Sequence, residues 1–423
     1  MRRLLVSVAA LALGCQAPAP PPTPTPTQKP APSPSQGAPT QTTRTASRAV
    51  DTFAGGTGAR ATPNMLDGPA LEQAMDQGRT KLGAWTQAVA GDPDLPWALA
   101  HGLVGFGADF RATDHRPAID VIVSDFAEVI TVGGKKRVHF QKRTAKNLPL
   151  EPHTTLMVKS LLEAGVPRDR LFEVKGLGKV PLSRIAEDVL ADVERPKTEA
   201  EWEDFPWTLT ALLTFHKDLA GVAAKPSETK RKLDGLALDT IGYLEGAQAF
   251  LLPAMDANRP DLVEKRKQGI FAHSCGGAHL IQAAMHAAIF VGTPTAKARV
   301  KKQLDILLFR YLAEKRIYQQ ALAQAPQAAL LLHTQELKFF GHALETFGFA
   351  DPLGFVDHTP EMHARLAALA NDLVKTIDIL APAYHQLPAV RQEREQTYLD
   401  LIGDGCHAMR GLRLGSMALF PPR

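Results

Sequence analysis

The chain has 423 residues, 45 % of them hydrophobic and only 6 % aromatic, with 48 Lys and Arg against 44 Asp and Glu for a formal charge of +4. Five of the cations, Arg2, Arg3, Lys29, Arg44 and Arg48, fall in the first 48 residues, which hold no acid, so the other 375 residues sum to about −1. A near-neutral domain offers nucleic acid no basic footprint, and none is expected as a partner.

The N-terminus reads Met1-Arg2-Arg3, an apolar run from Leu4 to Leu13, then Gly14-Cys15. Ten apolar residues are too few for a spanning helix, which needs roughly 20, and the order of charge, apolar run and small residue is that of an export signal. The segment resembles a bacterial lipoprotein signal, with Ala12 where Leu is usual. The resemblance implies a signal over 1–14, acylation of Cys15 and a membrane held through that lipid. Gln16 after the cysteine, in place of Asp, implies the outer membrane. Residues 16–48 carry ten of the 32 prolines among Thr, Ala, Ser and Gln. Such a stretch has too little to bury and stays extended, a tether that reaches about 100 Å at roughly 3.1 Å per residue.

From 49 to 423 a single helical domain is expected. Apolar residues recur with a helical period over 68–90, 96–110, 153–165, 183–195, 199–222, 227–255, 261–292, 295–324, 327–348, 360–386 and 389–413. Pro226-Ser227-Glu228 and Thr359-Pro360-Glu361 mark starts, and Gly292 and Gly348 mark stops. The exception is Ile119 to Lys142. Its apolar β-branched runs, Val121-Ile122-Val123 and Phe126 to Val132, followed after Gly133-Gly134 by Lys135 to Phe140, predict a β-hairpin insertion. Lys135, Lys136, Arg137, Lys142, Arg143 and Lys146 make it basic. That charge either attracts an anionic ligand or guards a strand edge.

Histidines 101, 153, 216, 273, 342 and 407 follow one another at intervals of 52, 63, 57, 69 and 65 residues, each near a small or apolar neighbour. A period near 60 suggests one helical hairpin per repeat, and hairpins that cannot bury their own faces must stack. The expected fold is therefore all-α: an α/α toroid of about six hairpins with one small β-hairpin, the histidines lining a central cavity. An open helical solenoid fits the same period.

Apart from Cys15 the only cysteines are Cys275 and Cys406. Cys275 and His279 share a helical face, and Cys406 adjoins His407. Two thiolates and two imidazoles suit zinc, with Asp404 orienting His407 from behind. In an exported protein the same two cysteines could instead form a disulfide, or remain as buried thiols. His101-Gly102-Leu103-Val104-Gly105, Cys275 in its Gly-rich segment and Cys406-His407 resemble the lanthionine synthetase C-like family, α/α toroids that hold zinc with two cysteines and a histidine. The resemblance implies Cys275, Cys406 and His407 as ligands, although here the cysteines are 131 residues apart and the Trp-Cys-x-Gly and Cys-His-Gly forms are absent.

The leading expectation is a lipid-anchored envelope protein with a His/Cys-lined central cavity, a zinc-dependent enzyme whose substrate the sequence leaves open, with a small molecule or an envelope polymer as ligand. The alternative is a non-catalytic helical-repeat scaffold. A third reading, a polysaccharide lyase or hydrolase, would use two of Glu336, Glu345, Asp218 and Asp404 at about 5–9.5 Å from each other.

Overall fold

A computed structural model describes residues 65–420. The expected signal, Cys15 and the expected tether lie outside the described residues.

Over the described residues the chain is mostly helical, with two small antiparallel β-hairpins. In order it forms α1 (Gly68–Ala90), α2 (Pro96–Phe106), α3 (Ala118–Phe126), β1 (Ala127–Val132), β2 (Lys135–Phe140), α4 (Leu156–Glu163), β3 (Leu171–Val174), β4 (Gly178–Pro181), α5 (Leu182–Leu190) and α6 (Glu199–Phe215). It continues with α7 (Glu228–Gln248), α8 (Leu252–Asp256), α9 (Ala278–Val291), α10 (Pro294–Gln324), α11 (Ala329–Ala350), α12 (Pro360–Tyr384), α13 (Leu387–Glu393) and α14 (Glu395–Leu419).

Local chemistry fixes many of the boundaries. The hydroxyls of Ser227, Thr293 and Thr359 accept from backbone N–H groups in the first turns of α7, α10 and α12. Thr198 and Glu201 close a capping box on α6, satisfying N–H groups that a helix start leaves without partners. Gly292 ends α9 in the left-handed conformation, at φ 76°.

Three expectations need correction. Val121-Ile122-Val123 belongs to helix α3, not to a strand, because all three residues are fully buried beside Ala118 and Ile119. The helix expected over 261–292 is regular only from Ala278, after the 3-10 turns Pro260–Leu262 and Gly269–Ala272. Gly348 does not stop α11. A Cβ there would come within 2.5 Å of Leu414, so this glycine serves the close crossing of α11 and α14.

The β1–β2 hairpin forms about Gly133-Gly134, pairing Val132 with Lys135 and Ala127 with Phe140. A second antiparallel hairpin, β3–β4, was not anticipated.

Helix packing follows chain order. Helix α2 packs on α4, α4 on α6, α6 on α9, α9 on α11, α11 on α14, and α14 returns to α2, so the contacts form a closed cycle. Helices α1, α12, α10 and α7 cover α14, α11 and α9. Ser274–Val291 is apolar enough over 18 residues to cross a membrane by composition, but 72 % of it is buried within the protein, as in a core helix.

Candidate metal centre

Where the helices of the cycle converge, the space is filled by rings. His153, ahead of α4, stacks on Trp207 of α6 at 3.7 Å between centroids, and Trp207 meets His279 of α9 at 4.5 Å. His279 lies 5.0 Å from His342 of α11 and 5.2 Å from His407 of α14. His342 and His407 are 4.0 Å apart, and His407 reaches His101 of α2 at 5.5 Å. Five histidines from different parts of the chain thus form one column. His279, His342 and His407 are no more than 4 % exposed, so the expected hollow is occupied by side chains. Clefts of about 360 and 330 Å³ lie elsewhere, near Arg168 and near Asp204.

Two sets of donors within this column have the composition of a metal site. Cys275 Sγ and ring nitrogens of His279 and His342 lie within 4.8 Å of one another, as do donor atoms of His342, Glu345 and His407. Ligands around tetrahedral zinc are roughly 3.3–3.7 Å apart, given bonds of about 2.0–2.3 Å, so small side-chain adjustments would close the first set.

The two sets differ in what already satisfies them. Glu345 accepts from His407 Nδ1 at 2.9 Å, stands 3.3 Å from His342 Nδ1 and is 3.3 Å from Arg410. In the first set, Nδ1 of His279 is buried without a hydrogen bond, whereas the ring nitrogens of His342 face Glu345 and Asp404. A buried polar nitrogen costs free energy when left so, and the Nδ1 of His279 therefore favours Cys275, His279 and His342 as the ligand set. One of these two carboxylates, Glu345 at Nδ1 or Asp404 3.6 Å from Nε2, would then hold the His342 nitrogen that does not ligate, as carboxylates commonly do for ligating imidazoles.

A row of buried charges runs beside both sets. Lys338 lies between Asp400 and Asp404, Arg410 between Glu345 and Glu163, and Lys159 on Glu163, at 2.6 to 3.8 Å. In the metal-free protein His342 stands between Asp404 and Glu345 of this row. There, burial disfavours the charged ring, but Asp404 and Glu345 outweigh it and raise its pKa to about 9. A divalent cation with the Cys275 thiolate would bring the same net +1. His279, by contrast, is held well below its ordinary value by burial and by His342, and His407 is lowered for the same two reasons. Burial and His407 take His101 down to about 3.

Cys275 is placed by a strained turn. Cys275, Gly276 and Gly277 all have positive φ, at 52°, 60° and 73°, just before α9. A left-handed cysteine is unfavourable by roughly 1–2 kcal/mol. Arg310, fully buried, donates to the Gly276 carbonyl at 2.5 Å, lies over Phe339 and pairs with Glu314, which Lys265 and Tyr318 also contact. This clamp holds the turn against His279 and His342.

The remaining sequence candidates are dispersed. Cys406 points away from the centre and hydrogen-bonds Thr86, burial pushing its thiol up to about 12. It is absent from both donor sets. Neither Cys275 nor Cys406 is in a disulfide. Asp404 approaches His342, and it is Glu345 that hydrogen-bonds His407. His153 pairs with Asp204 at 3.1 Å, His216 ends α6, and His273 meets Tyr243 at 3.3 Å. Of the carboxylates considered for sugar chemistry, Glu336 is paired with His333 and Asp218 with Arg168 at the surface.

Lys338 and Asp400 were not singled out from the sequence, and Glu345 was considered only for sugar chemistry, yet a signal joins them to His342, Asp404 and His407. Lys338, His342 and Glu345 on α11 and Asp400, Asp404 and His407 on α14 share one i, i+4, i+7 spacing, polar stripes on otherwise apolar helices. No protein-family model, curated protein or solved structure matches the chain.

Proposed function

We propose that the chain is a lipid-anchored protein of the bacterial envelope whose helical cycle is an α/α toroid closed on a zinc centre. Cys275, His279 and His342 are its ligands. The observation that supports this reading is the meeting of a thiol and two buried imidazoles with donor atoms within 4.8 Å of one another, Nδ1 of His279 lacking a hydrogen bond. When bound, zinc would act as a Lewis acid on a substrate oxygen or activate a thiol or water. Glu345 fixes the tautomer of His407 by accepting from Nδ1, leaving Nε2 as the atom able to take or give a proton.

A second reading shares the metal and differs in its role. Every member of the two donor sets except Cys275 is buried, which suits a structural ion at the heart of a scaffold as well as a catalytic one.

Elemental analysis of the purified protein tests the centre. One zinc per chain is expected, lost in Cys275→Ser and His342→Ala. Absence of stoichiometric metal in the parent protein would end the proposal. If zinc is present, chelation that unfolds the chain favours the structural role, and chelation that leaves the fold intact favours the catalytic one. The anchor is tested separately, by whether Cys15→Ser moves the protein out of the membrane fraction.

A further inference from the structure

The two β-hairpins stand side by side, and their tips form one basic surface. Residues Thr131 to Lys136 are all exposed, as are Lys175 and Gly176 at the tip of the second hairpin. Lys136 Nζ reaches the Gly176 carbonyl at 3.5 Å, which joins the tips. The mounting is firm. Arg137 pairs with Asp192, Arg184 contacts both Asp188 and the Lys136 carbonyl, and the Val138 N–H donates to Asp188.

These contacts also match the nearby acids. Asp188 and Asp192 are taken by arginines, and Glu173 lies across the strand pair from Lys179. Lys135, Lys136 and Lys175 have no acidic partner among the described residues, so the tip keeps three positive charges. Beside them Val132, opposite Lys135, is 39 % exposed. Guarding a strand edge does not require charges from two hairpins to gather at one point.

We propose that this double tip docks the domain on an anionic phospholipid surface. Lysines attract anionic headgroups, and an apolar side chain among them suits a bilayer interface better than a soluble polyanion. The inference rests on the lipid-anchored reading. A domain tethered through Cys15 is held near its membrane at high effective concentration, so a weak patch is enough to orient it.

The test uses the chain from Gln16 onward, which keeps the whole folded domain and lacks both signal and acyl chain, so its outcome is independent of the anchor. Binding is measured by flotation with phosphatidylglycerol–phosphatidylcholine vesicles and with phosphatidylcholine alone. Binding only to the anionic vesicles is expected, weakening with salt and falling about tenfold or more in Lys135→Glu/Lys136→Glu/Lys175→Glu. Lys232→Glu/Lys302→Glu, on helices α7 and α10, should bind as the parent does. Equal binding by the triple variant at unchanged melting temperature would overturn the proposal, as would equal binding to both vesicles. So would competition by soluble polyphosphate with no dependence on Val132, read from Val132→Ser. Should the triple variant fail to fold, Lys135→Gln/Lys175→Gln carries the same comparison with a smaller loss.

Discussion

His342 and His407, 65 residues apart in sequence, lie 4.0 Å apart between ring centroids and share the Glu345 carboxylate. Arg410 leans on the same carboxylate. Glu345 therefore compensates three groups at once. Glu345→Ala should destabilise the protein by about 3–5 kcal/mol, because removing one partner leaves buried charge uncompensated. Glu345→Gln should cost less in stability and still lower zinc affinity by about 10–100-fold, since it weakens the support behind the ligands. Urea unfolding and competition with a zinc indicator measure the two effects. Unchanged affinity in Glu345→Gln would separate Glu345 from the metal.

The two cysteines should behave differently. Cys275 sits beside His279 and His342, whereas the Cys406 thiol is turned to Thr86. Cys406→Ala is expected to keep full zinc content at a stability loss of about 1 kcal/mol. Cys275→Ala should lose the metal. Loss of zinc in the Cys406 variant would restore the ligand set expected from the sequence.

The crossing of α11 and α14 depends on small residues. A Cβ at Gly348 would come within 2.5 Å of Leu414, and one at Gly341 within 2.9 Å of Ala408, backbone atoms included in both cases. Gly348→Ala gains helix propensity of up to about 1 kcal/mol yet must push the helices apart, at a typical cost of 1–3 kcal/mol. A net loss of stability is expected in thermal unfolding. A gain would mean that the crossing is looser than described.

The helical class and most helix positions were legible because apolar period and caps are local signals. Ser227 and Thr359 marked their helix starts without reference to any other part of the chain. Val121 to Val123 misled because a fully buried helix face and a strand are both β-branched and apolar. The centre was half legible. The histidine spacing brought out His342 and His407, but the direction of each side chain depends on the helix's rotation about its axis. That rotation decided that Cys406, adjacent to His407, would face α1 instead. Glu345 was visible only as a carboxylate with no assigned partner.

Stability should depend on pH through Glu151, far from the metal ligands in sequence. Glu151 is 5 % exposed, and its Oε1 accepts from the Met157 N–H at the start of α4, 3.1 Å away. Burial raises its pKa from 4.5 to about 7, against hydrogen bonds from Met157 and Thr155 and the charge of Lys142. The folded chain thus holds this proton more tightly than the unfolded one. Its contribution is fully present below pH 4.5 and is lost as pH rises towards about 7. At about 1.4 kcal/mol per pKa unit, the loss is on the order of 3 kcal/mol. Glu151→Gln keeps an oxygen acceptor and cannot ionise. Its melting temperature should therefore exceed the parent's by a margin that grows between about pH 5 and 7 and then levels off. Parallel pH profiles for the two proteins would show that Glu151 titrates in the fold as it does in the unfolded chain.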